Sequence, residues 1–186
     1  IVFLPWDSNQ FIYWSQRDGF HHLYLYNKEG QLIKQLTQGD WLVQDILGFN
    51  TARKEMIIAS TEISPLQTNI FSLNVKTGKR TLLGQQDGTH SARLSASGTY
   101  LIDNFTSFNV PREISILPTN GKTGVNLLTA TDPMKEQYNL PEITLVPSRL
   151  PTERQIFIIA SSSRSTSILT RNIPPLSMYM EDRTLS

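Results

Sequence analysis

Leu23-Tyr24-Leu25-Tyr26-Asn27-Lys28-Glu29-Gly30-Gln31 reads as a short strand that runs into a polar, glycine-containing turn. The chain repeats it twice, as Ile70-Phe71-Ser72-Leu73-Asn74-Val75-Lys76-Thr77-Gly78-Lys79 and Ile114-Ser115-Ile116-Leu117-Pro118-Thr119-Asn120-Gly121-Lys122, starting 47 and then 44 residues further on. A second strand follows each turn: Leu32 to Thr37, Arg80 to Leu83, and Val125 to Thr129. These are three copies of one hairpin. Upstream of each copy lies another β-rich run, Phe11 to Ser15, Met56 to Ser60 and Tyr100 to Asn104, in the same phase. Leu4, Phe49 and Leu94, each 45 residues apart, lead into polar turns before those runs and supply a fourth strand.

Four antiparallel strands recurring at this interval specify a β-propeller blade, in which strands between neighbouring blades are apolar and turns polar. A two-helix repeat of similar length fits poorly. The apolar runs are short, rich in Ile, Tyr, Phe and Thr, and separated by Gly, Asn and Asp. The expected fold is therefore all-β: about three blades over residues 1–45, 46–89 and 90–140, with residues 146–186 an irregular tail. A closed propeller has about 4 to 8 blades, so three form no closed ring. The outer faces of the first and last blades should then expose apolar surface.

The 186-residue chain has a formal charge of +1 and no cysteine. The balanced charge argues against nucleic acid, and no apolar run approaches the roughly 20 residues of a membrane helix. Disulfides, thiolate metal sites and cysteine nucleophiles are excluded by composition. Of the three histidines, His21 and His22 precede a strand and His90 begins one; none has acids at ligand spacing, so strand-end hydrogen bonding is the expected role. No nucleophile elbow, phosphate loop or dinucleotide fingerprint is present. Glu113, Glu136 and Glu142 stand apart as solvated or structural acids, and the Asn104-Phe105-Thr106 sequon is assigned no function. The expected catalytic, cofactor-binding and metal-binding sets are all empty, and no cofactor is expected.

The run from Phe11 to Tyr26, with Asp18-Gly19 ahead of His22-Leu23-Tyr24-Leu25-Tyr26, and the stretch Leu36-Thr37-Gln38-Gly39-Asp40-Trp41-Leu42-Val43 resemble the propeller of dipeptidyl peptidase IV-like serine peptidases of the prolyl oligopeptidase family. His90 to Ser95 with Ser97-Gly98 resembles the following blade, and Leu140-Pro141-Glu142 the point where that family's chain leaves the propeller. The resemblance covers residues 1 to about 145. It implies an eight-bladed propeller capping an α/β-hydrolase domain that removes N-terminal Xaa-Pro or Xaa-Ala dipeptides with a Ser-Asp-His triad, while two glutamates from an earlier blade hold the substrate amine. Neither the triad nor the glutamate pair has a counterpart here, so the chain alone is expected to be inactive, with peptide a partner only within the whole enzyme. The resemblance also implies a homodimeric parent and a periplasmic or exported location. A self-standing propeller serving as a protein- or ligand-binding module is the alternative.

Beyond Leu145 the period stops. Read one base out of step from Val146, with suitable wobble bases, the tail can encode a string resembling the start of the family's hydrolase domain, including its Y-G-G-P motif. A lost base near codon 146, yielding a truncated fragment, is the corresponding expectation.

Overall fold

A computed structural model describes residues 1–84, 87–133 and 137–138, together with the backbone of 142–149 and 155–162. The fold is all-β. Its first sheet is a meander of β1 (Val2–Leu4), β2 (Asp7–Ser15), β3 (His22–Asn27) and β4 (Leu32–Gln35). The second has β5 (Val43–Asn50), β6 (Glu55–Ser60), β7 (Asn69–Asn74) and β8 (Arg80–Leu83). β9 (Thr89–Leu94), β10 (Tyr100–Thr106), β11 (Glu113–Pro118) and β12 (Val125–Thr129) make the third. All pairings are antiparallel between sequence neighbours. These are the three blades of the repeat, each an open sheet.

The second blade opens with β5 at Val43. Val43 is fully buried and its N–H donates to the His21 carbonyl at 2.8 Å, which ties the start of the second blade to the first.

The core consists of two apolar seams between blades. Leu4, Ile12, Leu23 and Leu25 of the first blade, with Leu36 of the segment after it, meet Met56, Ile58, Phe71 and Leu73 of the second. On the other side, Ile57, Ala59, Ile70 and Leu83 meet Leu101 and Leu117 of the third. Successive residues of a strand point to opposite faces. The continuous run Met56-Ile57-Ile58-Ala59 therefore serves both seams, and every residue of β6 is buried. In β10, by contrast, burial alternates: Leu101, Asp103 and Phe105 face inward while Tyr100 and Ile102 face out.

The outer faces carry the apolar surface expected of them. Phe3 is 60% exposed and sits beside Phe11, which stacks on Tyr26 with ring centroids 5.6 Å apart. On the third blade Tyr100 is 54% and Ile102 51% exposed, flanking an open apolar groove that reaches Ile116.

A polar knot also joins the second and third blades. Thr119 Oγ1 donates to the Gly98 carbonyl at 2.9 Å and accepts from Asn50 Nδ2 at 3.1 Å. Gly98 has φ +70°, and a Cβ there would stand 2.2 Å from the Phe49 carbonyl oxygen.

Residues 140–186 form a separate unit. Within it, β13 (Glu142–Arg149) pairs antiparallel with β14 (Gln155–Ser162), from Glu142 opposite Ser162 to Arg149 opposite Gln155. The segment read from sequence as irregular thus contains a hairpin, whose signal was the β-branched and aromatic run Ile156-Phe157-Ile158-Ile159. The rest of 146–186, on which the out-of-frame reading also bears, lies outside the described residues.

Candidate functional site

Three clusters of functional side chains occur in the blades, and the first is built on the start of β3. His22 is buried at the head of that strand. Its Nε2 donates to the Gly39 carbonyl at 2.9 Å, since a carbonyl can only accept. Nδ1 stands 3.1 Å from Thr37 Oγ1, which itself accepts from the Leu23 N–H at 3.0 Å. Trp41 meets the imidazole edge-on at 5.1 Å. With both ring nitrogens engaged, His22 has no lone pair to offer a metal. It fastens the segment after Gln35 to β3, the hydrogen-bonding role the sequence suggested.

The second cluster pairs His90, at the start of β9, with Asp103 on β10. His90 Nδ1 donates to Asp103 Oδ2 at 2.7 Å, with both side chains buried. Phe105 tilts against the imidazole at 4.9 Å. Gly84 closes over it from the second blade: a Cβ at Gly84 would lie 3.2 Å from His90 Cε1. A histidine oriented by a carboxylate is the arrangement that activates a nucleophile, but a general base must reach the proton it abstracts from a bound substrate. Enclosed between blades, this pair acts as a polar staple in the seam. Asp103 Oδ1 is buried without a hydrogen-bond partner among the described residues.

The third cluster spreads over the outer face of the first blade. Tyr24 Oη donates to Asp18 Oδ2 at 2.5 Å, and Gln35 Nε2 donates to the same oxygen at 2.9 Å. Arg17 stacks over the Tyr24 ring at 4.2 Å and donates to Tyr26 Oη at 2.6 Å. Burial pushes the Tyr24 phenol up to about 12, and its bond to Asp18 adds to the shift. The Tyr24 bond in turn holds the Asp18 carboxyl below its ordinary value, as does the bond from Gln35. Neither group exchanges a proton near neutral pH, and the hydrogen bonds among them fix the side chains of this part of the blade. Because the folded value of Tyr24 lies above the unfolded one, its contribution to stability is complete below about pH 10 and is lost as the pH rises through about 12. An ultraviolet absorbance titration should therefore find one late-ionising tyrosine, and Asp18→Asn should move it down toward about 10; an unchanged titration curve would count against the Asp18 bond.

In the second blade, burial pushes the Glu55 carboxyl up, but hydrogen bonds from Arg53 and Ser72 outweigh it and leave the group below its ordinary value. Arg80 forks onto Glu62 at 2.8 and 2.6 Å and lies 5.2 Å over Trp41. Glu113 lies on β11; Glu136 lies outside the described residues, and for Glu142 only the backbone of β13 is described. Asn104 sits within β10, where its Oδ1 accepts from Arg112 Nη2 at 2.8 Å. Among the described residues no group of three or more metal-binding side chains occurs, and no helix is long and apolar enough to cross a membrane.

Three four-stranded meanders packed face to face, with His22 and His90 held in strand-end and seam hydrogen bonds, define a segment of a β-propeller. Residues 1–112 match the family described as the dipeptidyl peptidase IV (DPP IV) N-terminal region, and the chain belongs to that family. It is similar to dipeptidyl peptidase 4 of Arthroderma otae, at 29% identity over 150 residues, covering 78% of this chain and 19% of that protein. Dipeptidyl peptidase 4 of Trichophyton rubrum is 28% identical over 143 residues, 74% of this chain and 18% of that protein. The chain thus spans about a fifth of the length of the curated relatives it matches. Among solved structures, a Bacteroides ovatus chain assigned as a dipeptidyl aminopeptidase IV is 38% identical with a TM-score of 0.71, covering 82% of this chain and 24% of that one. Porphyromonas gingivalis dipeptidyl peptidase 4 shares the fold, with a TM-score of 0.70 at 24% identity over 84% of this chain and 22% of its own.

Proposed function

We propose that these blades are the noncatalytic propeller portion of a serine exopeptidase that removes N-terminal Xaa-Pro and Xaa-Ala dipeptides. The match of residues 1–112 to the N-terminal region of that family is the observation that carries the reading. In this role the blades are scaffold and wall. They supply rigid seams and an access route for peptide, while the nucleophile, its base and the groups that grip the substrate amine come from elsewhere in the enzyme. Two features of the blades support this. His22 and His90 are committed to fixed partners, His22 to Thr37 and Gly39 and His90 to Asp103. The outer faces are apolar, suited to packing against further blades rather than standing free.

The test has two arms. The 186-residue chain incubated with Gly-Pro and Ala-Pro chromogenic substrates should release no chromophore. A chimera carrying residues 1–139 in place of the matching blades of the Bacteroides ovatus relative should retain whatever dipeptide release that relative shows. Turnover by the chain alone, or a well-folded chimera that has lost activity, would overturn the reading.

A further inference from the structure

Between the first and second blades lies a cleft of about 330 Å³ whose charged lining is unbalanced. It is lined by Lys34 of β4, Lys54 of the turn between β5 and β6, and Lys76 of the turn between β7 and β8. Asp7 is the only carboxylate in the lining, and its Oδ1 already accepts from the Asn9 N–H at 3.0 Å. Trp6 and Gln10 complete the polar and aromatic part of the wall.

None of the three lysines forms an ion pair among the described residues, whereas Lys28, Arg53 and Arg80 are paired with Glu29, Glu55 and Glu62. Lys34 Nζ donates instead to the Lys76 carbonyl at 3.3 Å, which brings those two residues together across the blade boundary. The Lys54 carbonyl accepts from the Val75 N–H, which ties the turn of the second lysine to that of the third. Lys54 is also the one non-glycine residue of left-handed backbone among the described residues, with φ 53°. Three lysines and one carboxylate line this concave, partly apolar site, an excess of about two positive charges. Like charges in one site repel unless an anion joins them.

We propose that the cleft binds a phosphate group. A dianion matches the charge excess, its oxygens can accept from all three ammoniums, and the donors come from two blades, so binding would fasten one seam of the propeller. The phosphate is either free in solution or carried on an organic group whose apolar part would lie against Trp6 and the neighbouring Leu25 and Val75.

Calorimetric titration of the full chain with inorganic phosphate at low salt and neutral pH should give saturable one-site binding in the millimolar range or tighter, weakening as sodium chloride is added. Lys54→Gln with Lys76→Gln should weaken it by about tenfold or more, in line with the loss of two close charge pairs. Lys79→Gln, on the same turn as Lys76 but outside the lining, should leave affinity within about twofold, and Asp7→Asn should tighten it. Phenyl phosphate binding more tightly than inorganic phosphate assigns the site to a carried phosphate, and equal affinity assigns it to the free ion. A titration that never saturates, or binding that survives the double substitution in a chain with unchanged circular dichroism, overturns the proposal.

Discussion

His90→Ala is expected to cost the folded chain about 3 kcal/mol or more, because it leaves a buried carboxylate with neither oxygen bonded. In the intact seam Asp103 Oδ2 accepts from the imidazole at 2.7 Å while Oδ1 already lacks a partner. Removing His90 strips the remaining bond and opens a void beneath Phe105 and Gly84. Urea unfolding followed by circular dichroism reads the loss as a lower midpoint at unchanged slope. The double variant His90→Leu with Asp103→Leu should lose much less than the sum of the single changes, since two apolar side chains leave no charge behind. A single-variant cost under about 1 kcal/mol would mean that the pair is not a staple at all.

Gly98→Ala is expected to destabilise by about 3 kcal/mol, the sum of a backbone term and a collision. At φ +70° an L side chain is disfavoured by about 1 kcal/mol. The added Cβ would also lie 2.2 Å from the Phe49 carbonyl oxygen and 2.9 Å from Asn50 Cα, both backbone atoms of the neighbouring blade. Neither can swing aside without disturbing the Asn50–Thr119 bond. Gly30→Ala separates the two terms: its φ of +80° is similar, but nothing lies within 4 Å. It should cost only about 1 kcal/mol. Equal losses for the two glycines would show that the blades do not meet at Gly98.

The blades were legible in the sequence because their period is written in apolar runs that burial requires. Met56-Ile57-Ile58-Ala59 reads as a strand covered on both sides, and β6 is buried throughout. Tyr100-Leu101-Ile102 reads the same way, yet Ile102 is half exposed, because a run of apolar residues records what a strand can pack against rather than what lies beside it. Polar partnerships were harder to see. His90 was recognisable as a strand-end hydrogen bonder, but its partner Asp103 is 13 residues away. The register that sets His90 opposite Phe105 is what brings Asp103 within reach diagonally. The lysine cleft was invisible for the same reason. Lys34, Lys54 and Lys76 sit on one strand and two turns of different blades, and no local motif links them.

Among the described residues, each of the two seams of the core has one of its walls on the middle blade, largely through β6 and β7. Energetically the molecule is a chain of three beads with two springs. Strain introduced at the aromatic face of the first blade can reach the third through Met56 or Ile58 and, along the same strand, Ile57 or Ala59, or through Phe49 and the Asn50–Thr119 knot. Any such strain must cross the middle blade, whose β6 is buried on both faces.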